Sequence, residues 1–247
     1  MTSGFNMGRD FKDFYEEYWD FRKKIGKVHT KKGYYVPERL KVVVSMMPHE
    51  ARRIKVLDMG CGEGALGMLL REKFKDVYSV GCDISENTVE LARPFYDKTI
   101  QVDLDSDNLD ERIGGENFDY IVCVEILEHL MHPEKALQKL KGFLSKDGRM
   151  IVSFPNIAWW KYRLKLLMGH FPEESRLYHH AEHLHDFTMH TFTNLLNDVG
   201  LKPVEIGGEF VPPKFVQRLR PKKLVDNFIR KYPNFFGYQV VIKAKPQ

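Results

Sequence analysis

Val56-Leu-Asp-Met-Gly-Cys-Gly-Glu-Gly64 is the stretch that decides the fold. An apolar run ends in Asp58 and passes into Gly60, Gly62 and Gly64, after which an amphipathic segment begins. Without a Cβ, glycine lets the chain turn sharply and approach a ligand closely. A plain strand-to-helix turn explains one or two of these glycines. Three at alternate positions, with a strand before and a helix after, predict a ligand-cradling turn. Beyond it, strands are predicted at 54–58, 77–83, 99–103, 118–124 and 149–154, alternating with helices at 63–74, 86–93 and 133–144. Such alternation predicts a parallel sheet with helices on both faces. Further helices are expected at 158–168 and from 191, with late strands at 201–206 and 237–244. Upstream, Phe11, Phe14, Tyr15, Tyr18, Trp19 and Phe21 recur at helical spacing, either packing on the domain or covering a ligand, and packing is preferred. Pro37 is expected at the first turn of another helix. Repeats are absent from the sequence, so the expected organisation is a helical extension at 1–50 and one domain at 51–247, with a cap insertion at 156–190.

Two cofactor classes compete for the glycine turn. Gly62-Glu-Gly-Ala-Leu-Gly67 also satisfies G-x-G-x-x-G, and Asp83 lies ~20 residues downstream, as in a dinucleotide site. Asp58 argues against that reading. A pyrophosphate seeks backbone N–H groups and a helix N-terminus, and a carboxylate facing the loop would repel it. A ligand bearing an ammonium and a sulfonium, such as S-adenosylmethionine, would be attracted. Asp83 ends the second strand, where it could accept both ribose hydroxyls. Alternatively it caps the next helix, although Ser85 and Asn87 are also available as caps. Asp103 ends the third strand and could meet an adenine amino group with Leu104 over the ring, or be a solvated turn aspartate beside Asp105 and Asp107.

Together with Phe118-Asp-Tyr-Ile-Val-Cys-Val-Glu-Ile-Leu-Glu-His-Leu130 and Gly148-Arg-Met-Ile-Val-Ser-Phe-Pro-Asn156, residues 35–205 resemble class I S-adenosylmethionine-dependent methyltransferases. The branch most resembled holds the ubiquinone-biosynthesis O-methyltransferases and the methionine-biosynthesis protein W family. The resemblance implies an α/β fold: a doubly wound, seven-stranded Rossmann-like sheet with an N-terminal helical extension and a helical substrate cap. Its last strand, 237–244, would run antiparallel beside its neighbour. It implies S-adenosyl-L-methionine as cofactor, held by a glycine motif of Asp58, Gly60, Cys61, Gly62 and Gly64. Asp83, followed by Ile84, would take the ribose, Asp103 and Leu104 the adenine, and Glu125 would line the methionine end. These motifs specify cofactor and fold, not the acceptor.

Glu125, Glu128 and His129 stand at i, i+3 and i+4, sharing one face if the stretch is helical. With His185 they form a candidate ligand set for a divalent metal. This pattern also resembles small-RNA 3′-end methyltransferases, in which E-x-x-E-H and a distant histidine bind the metal that orients the terminal hydroxyls. In metal-free relatives the same histidine orients substrate, acts as general base or packs in the turn. His129 is the catalytic candidate, and no metal ligand is assigned outright.

The 247 residues carry a net charge of +4, too mild to argue nucleic-acid binding by itself. Cys61, Cys82 and Cys123 lack zinc spacing, and the start, Met1-Thr-Ser-Gly-Phe5, is neither a secretory signal nor a transit peptide. No apolar run approaches the ~18 residues needed to cross a bilayer. A reduced, cytoplasmic enzyme is the expectation. Trp159, Trp160 and Tyr162 interleave with Lys161, Arg163 and Lys165 in a helix expected to cap the site mouth, with Leu164, Leu167 and Met168 on one side with Trp160. Tryptophan with lysine and arginine also suits peripheral contact at membrane headgroup depth. Lys214, Arg218, Arg220, Lys222, Lys223, Arg230 and Lys231 are accompanied by a single acid, Asp226. They form a solvated face or attract an anion: a phosphorylated substrate, a lipid headgroup or RNA. The expected chemistry is methyl transfer, preferentially to oxygen, on a small or lipid-like acceptor with an anionic portion. Such transfer needs mainly alignment. The alternatives are a metal-assisted RNA 3′-terminal 2′-O-methyltransferase and a non-enzymatic cofactor-binding partner protein.

Overall fold

The computed structural model describes residues 11–24, 36–48, 52–172, 183–219 and 221–247. Two helices, α1 (Phe11–Lys24) and α2 (Glu38–Ser45), precede the alternating core. There follow β1 (Ile54–Met59), α3 (Ala65–Lys73), β2 (Val77–Asp83), α4 (Glu86–Ala92), β3 (Lys98–Gln101), α5 (Leu109–Ile113) and β4 (Phe118–Cys123). The chain continues through α6 (Pro133–Lys141), β5 (Leu144–Pro155), α7 (Trp160–Leu167), α8 (Met189–Asp198) and β6 (Leu201–Phe210). Three short helices, α9 (Lys214–Gln217), α10 (Lys222–Lys231) and α11 (Pro233–Phe236), lead into β7 (Gly237–Pro246).

The seven strands form one sheet in the order β3-β2-β1-β4-β5-β7-β6. The first five are parallel, and β7 runs antiparallel between β5 and β6. Both faces are covered, so the central strands are apolar on both sides rather than alternating. Val56, Val122, Ile151 and Val241 face α2 and α3, packing on Leu40, Val43, Leu66 and Leu70. Leu57, Ile121, Val152 and Ile242 belong to the opposite core with Leu137 and Leu140 of α6 and Phe192 and Leu196 of α8. The order reverses between β1 and β4, and at such a switch point open α/β sheets bind ligands beyond the strands' carboxyl ends.

Several expectations change in detail. Pro37 is the N-cap of α2 rather than its first helical residue. Ser85 caps α4 by accepting from the Thr88 N–H, which leaves Asp83 free of that role. The stretch after β4 is not an α-helix; a single 3-10 turn, Leu127–His129, stands there. The short α5, α9 and α11 and the whole β6–β7 insertion were not expected. Part of the expected 1–50 extension and residues 173–182 of the expected 156–190 cap lie outside the described residues. No helix among the described residues is long and apolar enough to cross a membrane.

Candidate active site

The end of β1 passes into the turn through Gly60 (φ 77°), Gly62 (φ 50°) and Gly64 (φ 89°), all in the left-handed region that favours glycine. A Cβ at Gly60 would lie 2.0 Å from Cδ1 of Ile126, and one at Gly64 2.6 Å from the Phe95 ring. The turn is fastened to β2. Gly60 and Cys61 donate to the Cys82 carbonyl at 2.7 and 2.9 Å, and the Gly62 N–H donates to Oδ2 of Asp83 at 3.0 Å. At Gly62 a Cβ would meet only Trp19, at 3.8 Å, because that side opens into a cleft of about 760 Å³.

Gly60, Gly62, Asp83 and Ile84 line this cleft, as do Asp103, Leu104, Glu125 and His129. The volume suits a cofactor-sized ligand. Asp58, Cys61 and Gly64 do not line it and shape the turn from behind. The Tyr96 hydroxyl donates to the buried Asp58 carboxylate and accepts from the Gly67 N–H at 3.0 Å. Asp58 thereby ties β1 to the start of α3 through Tyr96. Burial pushes its pKa up to about 7, opposed by the Tyr96 bond and reinforced by the charge of Asp83. The expectation that Asp58 faces the loop's ligand is corrected to a role beneath the turn. Burial raises Asp83 as well, although N–H groups of Ser85 (3.1 Å) and Gly62 counter it. Asp103 lines the cleft and is also a built turn residue. Its two oxygens accept from the Asp105 N–H at 2.9 Å and the Ser106 hydroxyl at 2.7 Å.

The acidic pair does not share a helix face. Glu125 has a φ of 55°, the only positive value at a non-glycine among the described residues. Its backbone N–H donates to Oγ of Ser153 at 3.0 Å, the same hydroxyl donates to its Oε1 at 2.8 Å, and Nε2 of Gln239 donates to its Oε2 at 2.7 Å. Glu128 instead points into the cleft wall with 1% exposure; neither of its oxygens accepts a hydrogen bond among the described residues, and Oε1 lies 3.9 Å from Nε2 of His129. Burial, then repulsion from Glu125, drives its pKa well above the usual carboxylate range. The Glu128 carbonyl accepts from the N–H groups of Leu184 and His185 at 2.8 and 3.1 Å, bringing residues 183–185 alongside. His183 is the residue so delivered, its ring 4.8 Å from that of His129. Ligating atoms of Glu128, His129 and His183 lie within 4.8 Å of one another. The expected set of Glu125, Glu128, His129 and His185 is therefore not assembled. Glu125 is tied to Ser153 and Gln239, and Nε2 of His185 is engaged with the Leu130 carbonyl at 3.0 Å.

One preference is reversed and one residue was missed. Tyr15, Tyr18 and Trp19 of α1 line the cleft, so the aromatic helix covers a ligand space, the less preferred of its two expected roles. Glu16 fastens it to the start of α4, accepting from the Ser85 hydroxyl at 2.8 Å and the Asn87 side chain at 2.9 Å. Burial opposes ionisation of Glu16, but these donors outweigh it and hold its pKa below the usual value. Arg39 of α2 also reaches the cleft. It donates to Gln239 at 3.1 Å, while its buried Nε has no partner among the described residues. The only signal for Arg39 was a cation on the helix that also carries the buried Leu40, Val43 and Val44.

Trp160, expected at the mouth, lies elsewhere. The indole N–H groups of Trp159 and Trp160 both donate to the Val211 carbonyl, at 3.0 and 2.7 Å, and Tyr162 is the α7 ring that lines the cleft. Leu164, Leu167 and Met168 are exposed rather than packed with Trp160.

The methyltransferase-domain model matches residues 32–206. The chain belongs to the methyltransferase-domain family. This methyltransferase is 26% identical over 149 residues to the ubiquinone biosynthesis O-methyltransferase of Coxiella burnetii, covering 59% of this chain and 60% of that one. It is 29% identical over 115 residues to the enzyme of that name from Bradyrhizobium diazoefficiens, covering 46% and 45%. These matches thus span less than two thirds of either relative. Its fold is that of the magnesium protoporphyrin IX methyltransferase of Synechocystis with bound S-adenosylhomocysteine (TM-score 0.62, 17% identity, 96% and 98% of the two chains). A similar likeness holds to a Thermotoga maritima methyltransferase described as a possible histamine N-methyltransferase (TM-score 0.61, 16% identity, 96% and 98%). The cleft fits S-adenosylmethionine on its own chemistry. The glycine cradle admits a ligand against the backbone, Asp83 offers acceptors for ribose hydroxyls, and Arg39 offers an unpaired donor for an amino-acid carboxylate.

Proposed function

We propose that this methyltransferase moves a methyl group from S-adenosylmethionine to an oxygen of a small, lipid-like acceptor. The observation that carries this reading is the placement of His129. It lines the same cleft as the glycine cradle, with its ring 6.2 Å from Tyr15 of the covering helix and 4.8 Å from His183. When bound, S-adenosylmethionine supplies an electrophilic methyl. Arg39 and Asp83 hold its two ends, α1 shields the cleft from water, and His129 takes the proton leaving the acceptor's hydroxyl. Most of the task is alignment, which a cleft at the strands' carboxyl ends supplies. The name of the relatives, ubiquinone biosynthesis O-methyltransferase, supports oxygen as the acceptor atom and a lipid-soluble acceptor class. The test is transfer of labelled methyl to phenols with and without an apolar tail. His129→Gln should lower kcat at least tenfold while donor affinity holds; full activity of that variant, or label only on nitrogen, would overturn the reading.

A second reading rests on the buried Glu128 carboxylate, which accepts no hydrogen bond among the described residues. Glu128, His129 and His183 would hold a divalent cation, whose chemistry is to orient an acceptor oxygen and ease its deprotonation. Purified protein should then contain one equivalent of metal that is lost in Glu128→Gln. Metal-free protein whose activity ignores a chelator would return the triplet to proton transfer and packing. A metal-dependent acceptor that proves to be an RNA 3′ end would displace the lipid-like one.

A further inference from the structure

Exposed large apolar side chains are not scattered over this molecule. Of the fifteen recorded among the described residues, eleven fall within 164–171 and 215–235. Leu167 is 84% exposed, Phe215 70%, Leu224 64% and Met168 60%. A contiguous apolar surface of this kind marks an interaction site on a folded protein.

The two segments form one surface. Trp160 of α7 packs with Val216, Ile229 and Phe236 in a small core of its own, and the Arg163 guanidinium lies 5.8 Å from the Phe235 ring centroid. Within α10, Val225 and Ile229 enter that core, while Leu224 and Phe228, one turn apart, face outward. These four side chains make one broad apolar stripe, and only the half that carries Val225 and Ile229 is covered. The surrounding charge is of one sign. Lys161, Lys214, Arg218, Lys223, Arg230 and Lys231 are exposed around these side chains, and residues 156–172 hold no acid while 210–232 hold only Asp226.

We infer that the surface made by α7 and the α9–α11 insertion docks on an anionic lipid bilayer, and that the acceptor enters the cleft from that side. The second half rests on the lipid-like acceptor proposed above. Apolar side chains bracketed by lysine and arginine match the layered chemistry of a bilayer, with acyl chains below and phosphates at the rim. An RNA backbone has no use for aliphatic side chains such as Leu167 and Leu224. Protein interfaces are depleted in lysine. The surface is continuous with the site: Phe171 is 55% exposed and also lines the cleft, and Tyr162 lines the cleft from the same helix that presents Leu167.

The test is co-sedimentation of the whole protein with vesicles of phosphatidylcholine alone or doped with phosphatidylglycerol. Binding should require the anionic lipid and weaken as salt rises. Leu224→Ser with Phe228→Ser should lower partitioning at least about tenfold. Independently, Lys223→Glu with Lys231→Glu should lower it on doped vesicles by a similar factor. Unchanged calorimetric affinity for S-adenosylhomocysteine shows that each variant is folded. Docking is overturned by any of three results: no sedimentation with doped vesicles, sedimentation of both variants equal to that of the wild type, or an RNA oligonucleotide or a second copy of the chain occupying the surface in place of vesicles. Vesicle binding with a freely soluble acceptor would refute the lipid-like acceptor and leave docking standing. Loss of vesicle binding with transfer to a lipid-like phenol would do the reverse.

Discussion

Asp58→Asn isolates the strongest electrostatic tension beneath the cofactor turn. Asp58 is 3% exposed, and its pKa rises from an ordinary 3.8 to about 7, chiefly through burial. The folded state therefore binds this proton more tightly than the unfolded chain. Its contribution to stability is full below pH 3.8 and is lost as pH climbs to about 7, above which it stays lost. Three units at ~1.4 kcal/mol each place the loss at roughly 4 kcal/mol, a large share of an ordinary domain's stability. Asparagine keeps an oxygen to accept from Tyr96 and carries no charge to bury. In urea titrations from pH 4 to 8, the wild type should lose stability relative to Asp58→Asn, and the gap should flatten above pH 7. Glu125, Glu128 and Asp83 are raised in both proteins, so the difference between the two curves belongs to Asp58 together with its repulsion of Asp83. Parallel curves would refute the buried, proton-retaining Asp58.

Other perturbations divide along the same lines. Asp83→Ala should weaken S-adenosylmethionine binding by ~1–3 kcal/mol in calorimetry, the worth of charge-assisted hydrogen bonds. Gly60→Ala should abolish cofactor binding, since its Cβ would fall 2.0 Å from Ile126, whereas Gly114→Ala, at φ 78° but with nothing within 4 Å, should cost only about 1 kcal/mol of backbone strain and leave binding intact. Tyr162→Ala should raise the acceptor's KM with donor affinity unchanged. Trp160→Ala should instead lower Tm, because Trp160 packs against the α9–α11 core rather than the cleft.

The parallel sheet was legible because its strands are buried on both faces and read as short apolar runs between helical periods. Gly60, Gly62, Gly64, Asp83 and Asp103 were legible for the same local reason, each sitting at a strand's end. What was hidden depends on tertiary geometry. The spacing of Glu125, Glu128 and His129 suggested a helix face, but a φ of 55° at Glu125 followed by a 3-10 turn separates the two carboxylates, one bonded to Ser153 and Gln239 and the other buried beside His129 and His183. The choice of His183 over His185 is made by two backbone hydrogen bonds to Glu128, which no periodicity announces. Arg39 and the α1 aromatics enter the cleft from outside the alternating core. The β6–β7 insertion was not legible because α9 and α11 are single turns and Pro221 and Pro233 interrupt the helical period on both sides of α10.

The central claim is tested most directly by incubating the protein with tritiated S-adenosylmethionine and a membrane-lipid extract, then locating the label. Label on an oxygen of a molecule that partitions into organic solvent, lost in His129→Gln and Asp83→Ala, is the expected result. Label confined to RNA or to a water-soluble amine, or no binding of S-adenosylmethionine at all, would contradict it.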